Sequence, residues 1–264
     1  MLSGPDPPLL GCSFYFPGIS DADALALLVE GLVRSGARFR GEVLALRAQG
    51  ARSQLFASPT DLLSADNGVG RIALDLPGLR HYLTDPNVLL LRIGVAGAIG
   101  LAQHEVATYS FILPESVGVD THPLVLWSEG GVFSGPDRRV TKAARKAGRK
   151  VYDRFLSLVK ILSPAYAAIT VEYSLECPMD LRLDSRSYAF RDFFIDGAYI
   201  GKSKLGLVRA MFEDVDAYVE VVGDGLYVSC FGAFNPANKD VTGSIAIAKS
   251  ITVAKLIASV GRTS

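Results

Sequence analysis

The chain has 264 residues, enough to bury a large core in one big domain or in two fused halves. A hydrophobic fraction of 49% and a mean hydropathy of +0.28 exclude a chain disordered throughout; either the core is dense or a partner covers some apolar surface. The 27 Lys and Arg residues cancel 27 Asp and Glu residues, which excludes a generally basic nucleic-acid binder and confines any electrostatic function to a local patch.

Residues 1–11 read as a flexible, Pro-rich lead-in. Residues 12–264 read as one large α+β domain or as two fused halves, 12–135 and 136–264. A short strand is predicted over residues 12–16. Pro17-Gly18 turns it into a helix whose start carries a capping box, Ser20 with Asp23. Leu25, Leu28, Val29 and Leu32 supply the apolar face of that helix, and Gly36 stops it. Strands are predicted at residues 42–47, 71–76, 88–95, 106–113 and 124–133. Residues 49–70, rich in Ser, Asp and Gly, read as loop. Residues 114–123 and 134–137 carry the strongest connector signals, the second placed to hinge the first half to the helix that follows.

The run from Arg138 to Leu162 is the clearest element. Val140, Ala144, Ala147, Val151, Phe155, Leu158 and Leu162 recur at steps of four and three, one apolar stripe at helical period. Lys142, Lys146, Arg149, Asp153 and Lys160 lie round the other side. Arg138, Arg139, Arg145 and Lys150 thicken the basic end, so that seven of the thirteen residues from Arg138 to Lys150 are Lys or Arg. Ser163-Pro164 ends the helix, because a residue before proline avoids the helical region. Residues 169–176 then alternate: Ile169, Val171, Tyr173 and Leu175 face one side, and Thr170, Glu172, Ser174 and Glu176 the other. Residues 187–195 and 205–212 are predicted as helices. Residues 218–222 and 226–230 pair as a hairpin over Gly223-Asp224-Gly225. A last helix spans 244–260, and its narrow polar stripe of Lys249, Thr252, Lys255 and Ser259 implies that most of it is buried. The predicted fold is α+β, with a mixed or antiparallel sheet or sheets, a long central helix at about 138–162 and a mostly buried C-terminal helix. No residue-level repeat is evident.

The motifs that could carry chemistry fail at specific positions. Leu9-Leu10-Gly11-Cys12 has the form of a lipoprotein cleavage box, but no Lys or Arg precedes it and prolines interrupt the required apolar stretch. Gly197 stands one residue too close to Gly201-Lys202-Ser203 for a phosphate loop. Gly94, Gly97 and Gly100 follow an apolar strand, yet their spacing is not that of a dinucleotide fingerprint, and a hairpin or bulge explains them. His104-Glu105 begins like a zinc-protease helix, but the second ligand position holds Thr108. His81 and His122 have no neighbouring Cys or His. Cys12, Cys177 and Cys230 form no CxxC pair and no disulfide framework, which points to a reducing, cytoplasmic setting. No apolar run reaches the ~20 residues of a membrane span.

Two clusters remain as candidate sites. Glu172, Glu176 and Asp180 could form an acid–base or metal site, although four strand residues put the two glutamates ~13 Å apart at the Cα atoms, beyond the ~5–9.5 Å of a glycosidase dyad. The stronger candidate is the basic set Arg138, Arg139, Lys142, Arg145, Lys146, Arg149 and Lys150. It would attract phosphate or an acidic protein surface, and it lacks the interleaved aromatics that nucleobase stacking uses. The opposite sign concentrates at Glu213, Asp214, Asp216, Glu220 and Asp224. The expected function is therefore noncatalytic binding of a protein partner or of a second copy, as in a bacterial immunity or inhibitor protein or an assembly subunit, with no cofactor and no metal. The alternatives are a small hydrolase at Glu172, Glu176 and Asp180, or a nucleic-acid-associated subunit using the basic helix.

Overall fold

The computed structural model describes residues 8–19, 21–47, 88–101, 105–110, 123–133, 140–173 and 175–260. In chain order these form β1 (Leu9–Tyr15), α1 (Asp21–Arg34), β2 (Arg38–Arg47), β3 (Val88–Ala96), β4 (Glu105–Ser110), β5 (Leu124–Glu129), α2 (Lys142–Leu162), β6 (Tyr166–Val171), α3 (Pro178–Leu183), β7 (Asp192–Ile195), α4 (Gly197–Ile200), α5 (Lys202–Glu213), β8 (Tyr218–Val222), β9 (Gly225–Ser229) and α6 (Gly243–Ala258). Single 3₁₀ turns follow β5, at Gly131–Phe133, and β9, at Gly232–Phe234. The fold is α+β. The nine described strands join one sheet in the order β2-β3-β4-β5-β1-β6-β7-β9-β8, and each pairing among them is antiparallel.

The N-terminal strand sits in the middle. β1 pairs with β5 on one side and β6 on the other, so the strands that precede α2 and those that follow it meet along it. Its alternation splits the core. Leu10, Cys12 and Phe14 join the cluster under α1 and α2, and Tyr15 joins the cluster formed with α3, α5 and α6 on the opposite face. This position also answers the cleavage-box motif: Cys12 is 1% exposed and pairs with Leu126 and Ile169. Cleavage before it would remove Leu9, Leu10 and Gly11 from the β5 ladder and Leu10 and Gly11 from the β6 ladder. All three thiols are buried and free, and burial pushes that of Cys177 up to about 12, which leaves it unreactive near neutral pH.

α2 crosses the first cluster. Ala144, Gly148, Val151, Tyr152, Phe155, Leu156, Leu158, Val159 and Leu162 are buried, a stripe wider than the one read from the sequence because Gly148, Tyr152, Leu156 and Val159 also face inward. Thr141 caps its start by accepting from Ala144 N at 3.0 Å. Ser163 ends it in the left-handed region, at φ 49°. Phe155 lies between Phe14, at 5.8 Å between ring centroids, and Tyr227, at 5.9 Å.

The structure corrects several boundaries and one assignment. Residues 187–195 are not a helix: Asp192–Ile195 is β7, with Phe193 and Ile195 in one core cluster and Phe194 in the other, a period of two that a short apolar run hides. The strand predicted at 169–176 begins earlier, at Tyr166, and ends at Val171, because Glu172 turns into the left-handed region at φ 64°. The strand predicted at 124–133 stops at Glu129 and is followed by a 3₁₀ turn. In α6, Ala246, Ser250, Val253, Ala254 and Ile257 are buried, while Thr252 and Lys255 of its polar stripe are exposed. Ser20, His81, His104, His122, the predicted strand at 71–76 and the loop at 49–70 lie outside the described residues, as do most of the two connectors.

One construction occurs twice. Ser128, Gly131 and Phe133 at the end of β5 match Ser229, Gly232 and Phe234 at the end of β9 in spacing. Each serine hydroxyl faces a buried carboxylate at the start of the neighbouring strand: Ser229 donates to Asp192 Oδ1 at 2.7 Å, and Ser128 lies 3.4 Å from Glu105 Oε1. Phe133 and Phe234 meet with ring centroids 4.8 Å apart. The repeat reads in the sequence only as three identities, Ser-x-x-Gly-x-Phe, because its carboxylates differ, Glu in one copy and Asp in the other, and stand at different distances along the chain.

Candidate interaction face on the long helix

The cations of α2 crowd its first three turns. Lys142, Arg145, Lys146, Arg149 and Lys150 are all exposed, while Ala144, Gly148 and Val151 between them point inward. The first turn holds no acidic residue. Lys142–Lys146, Arg145–Arg149 and Lys146–Lys150 are like-charge neighbours four residues apart, each destabilising by a few tenths of a kcal/mol. They also stand at the end of the helix where the peptide dipoles already place positive charge. Arg149 alone is balanced: it pairs with Asp153 at 3.4 Å, and its guanidinium stands over the Tyr152 ring at 4.9 Å. Among the described residues, Lys142, Arg145, Lys146 and Lys150 have no ion-pair partner. Arg138 and Arg139 lie outside the described residues.

Arg154 shows what a structural cation on the same helix looks like. It is half-buried and donates to Ser35 O at 2.7 Å and to Gly97 O at 3.1 Å. It thereby ties the end of α1 and the β3–β4 turn to α2. The sequence pattern assigned it no role; it lies off the exposed arc of its neighbours.

The acidic set is dispersed. Glu213 pairs with Arg209 at 2.8 Å, Asp214 with Lys249 at 3.8 Å, and Asp216 with Lys239. Glu220 accepts from the hydroxyls of Tyr152, on α2, and Tyr218, the latter at 3.0 Å. Burial and this carboxylate together push both phenols upward. So one acidic residue does meet α2, through a tyrosine rather than through a cation.

The carboxylates first read as an acid–base site hold chain segments instead. Glu172 is exposed and accepts from Leu9 N, while its own N–H donates to Leu9 O at 2.9 Å, which locks the start of β1. Glu176 accepts from the Ser187 hydroxyl at 2.6 Å, and its carbonyl accepts from Tyr166 Oη at 2.8 Å. Burial holds its carboxyl above the ordinary range, and Asp180 and Asp184 add to this. Asp180 accepts from Cys177 Sγ at 3.1 Å. Glu176 and Asp180 are thus close in space, and Glu172 is engaged at the N-terminal edge of β1. Among the described residues, no group of three or more His, Cys, Asp or Glu is placed to hold a metal ion.

The other motifs resolve into turns. Gly97 and Gly100 adopt positive φ in the β3–β4 connection, where Ile99, Gly100 and Leu101 donate their N–H groups to Glu105 at 2.9, 2.7 and 3.3 Å. The glutamate that looked like half of a zinc motif is the buried anchor of that turn. Residues 196–203 follow β7 and form the single turn of α4 and its corner into α5, with no open loop between strand and helix. Asp196 accepts from Tyr199 N at 3.0 Å, Gly201 turns at φ 88°, and Lys202 is exposed. Among the described residues, no helix is long and apolar enough to cross a membrane.

The chain matches no family model and no curated relative. Among solved structures it is similar to the Pseudomonas aeruginosa T6SS protein PA0821, with a TM-score of 0.44 and 11% sequence identity, over 94% of this chain and 73% of that one.

Proposed function

We propose that this protein acts by binding rather than by catalysis, and that the exposed basic face of α2 receives an acidic protein surface. One observation carries the reading. Five cations stand at the positive end of a helix dipole, next to one another, and four of them are unpaired among the described residues. Folding alone favours the reverse arrangement, acids at the start of a helix and cations at its end. An arrangement that raises the free energy of the isolated fold is relieved when an anionic surface covers it. We place the protein among noncatalytic binding proteins, as an immunity or inhibitor protein or an assembly subunit. The spacing of the cations on a single rigid helix suits a folded partner, and the ring nearest to them, Tyr152, is turned into the core at 6% exposure, away from any nucleobase.

The test replaces Arg145, Lys146 and Arg149 by Glu. These side chains lie off the buried stripe, and exposed charges contribute only ~0–1 kcal/mol each to stability. The melting temperature should therefore hold, or rise slightly as repulsion is removed. Recovery of the protein partner from an extract of the native host should be lost, and for the unmodified protein it should weaken as salt is raised. Full recovery by the triple variant would reduce the face to solvated surface. Loss of the fold would show that Arg145 or Lys146 is held internally, as Arg149 is by Asp153 and the Tyr152 ring.

A further inference from the structure

The exposed line of α2 changes sign along its length. Lys142, Lys146, Arg149 and Asp153 are all exposed and stand at steps of four, three and four, so they follow one another along one side of the helix. Arg149 is where the sign turns. It pairs with Asp153 at 3.4 Å, and its guanidinium stands over the ring of Tyr152, whose hydroxyl donates to Glu220 on β8. Glu220 also accepts from the Tyr218 hydroxyl at 3.0 Å, so two phenols fix its carboxylate beside the helix. The stretch from Glu213 to Asp224 around it holds five acidic residues and no Lys or Arg. The next cation of α2, Lys160, lies in its last turn, where the helix dipole already places negative charge.

The unpaired cations therefore occupy only one end of the face. From Lys142 to Lys150 they span about 12 Å of helix, and Asp153 follows about 4.5 Å further on. We infer that the face is bipolar and fixes the direction in which a protein partner lies on it: a short acidic patch of the partner meets the first turns of α2, and a cation of the partner meets Asp153 and Glu220. The inference rests on the reading of α2 as the binding face and names the residues that give it specificity. A partner whose acidic patch continued past Lys150 would set carboxylates against Asp153 and Glu220, and like charges across an interface are rejected. A uniform polyanion such as a nucleic-acid backbone matches one end of the face and is opposed at the other. The two ends are separated by a distance comparable with the Debye length, ~8 Å at physiological ionic strength. Each end thus acts on the groups that dock against it, and the direction is chosen at contact.

The experiment titrates the full chain with two helical peptides of equal length. One carries glutamates along its whole exposed stripe; the other carries glutamates in its first half and lysines in its second. Both should bind the parent at low salt, and a nitroxide at the lysine end of the second peptide should broaden the amide signals of Asp153 and Glu220 more than that of Lys142. In the double variant Asp153→Asn, Glu220→Gln the two affinities should move in opposite directions. The all-glutamate peptide should bind about threefold or more tighter, and the bipolar peptide weaker by a similar factor. Gln keeps an acceptor for Tyr152 and Tyr218, so the melting temperature should hold; Asp153→Asn alone is the substitute if the double variant fails to fold. Affinities that move together, or not at all, overturn the bipolar face and leave the α2 reading standing. Binding of neither peptide to the parent overturns the α2 reading and the bipolar face with it. Self-association of the parent at low salt that is lost in Lys146→Glu would put a second copy on the face and overturn the inference of a distinct partner.

Discussion

Asp192 is a residue whose charge state bears on the fold. It is 6% exposed and accepts from Ser229 Oγ at 2.7 Å and from the N–H groups of Cys230 and Phe231, each at 3.1 Å. Those donors favour the carboxylate, but burial outweighs them and pushes the carboxyl from 3.8 up to about 6. The folded state then holds its proton more tightly than the unfolded chain does. Stability from this group is fully present below about pH 4 and falls as pH rises towards 6, by on the order of 3 kcal/mol in total. Asp192→Asn keeps an acceptor for the two N–H groups and cannot ionise. Urea midpoints measured at pH 4.5 and pH 7 should show a smaller loss on going to pH 7 in the variant than in the parent. Glu176, also held up by burial, titrates in the same direction in both proteins, so the difference between them isolates Asp192. Parallel pH dependence would show that Asp192 is ionised throughout, with its three donors dominant.

At the scale of elements, long amphipathic patterns were legible and short ones were not. The 3.6-residue stripe located α2 to within four residues at its start, and Gly223-Asp224 located the β8–β9 hairpin. β7 was misread because four residues are too few to separate a period of two from a period of 3.6. Glu172 and Glu176 were placed on one strand face because alternation continues through the turn where the backbone leaves the sheet. The basic arc was legible because exposed charges need no tertiary partner to be recognised. The Tyr152–Glu220–Tyr218 contact joins residues 68 apart in sequence, and nothing local announces it. Close approach was equally hidden. The second 3₁₀ turn docks on α2 at Gly148, where a Cβ would stand 2.1 Å from Ala233 O, a backbone atom. Gly148→Ala should therefore destabilise by several kcal/mol by forcing the turn off the helix, despite alanine's better helix propensity. Gly206, in α5, meets nothing within 4 Å, so Gly206→Ala should stabilise by ~0.5–1 kcal/mol. Thermal melts of the two variants should move in opposite directions; movement in the same direction would mean that the turn yields.

At the scale of the whole molecule, the two runs of chain on either side of α2 share their central elements. β1 carries six paired residues against β5 and six against β6. The stripe of α2 packs on Phe14 from the first run and on Tyr227 from the second. Separating the runs would expose that stripe, a cost on the order of 1.5–3 kcal/mol for each large apolar side chain. We therefore expect a single cooperative transition rather than two. The one tryptophan, Trp127, lies on β5 and reports on the first run. Phe212 is fully buried in the second cluster, against Phe193 at 5.5 Å between centroids. Phe212→Ala should cost ~3–5 kcal/mol, and the denaturation midpoint read from Trp127 fluorescence should fall by as much as the midpoint read from far-UV circular dichroism. A fluorescence midpoint that stays in place while the dichroism splits into two steps would make residues 12–135 and 136–264 separate folding units that meet along β1.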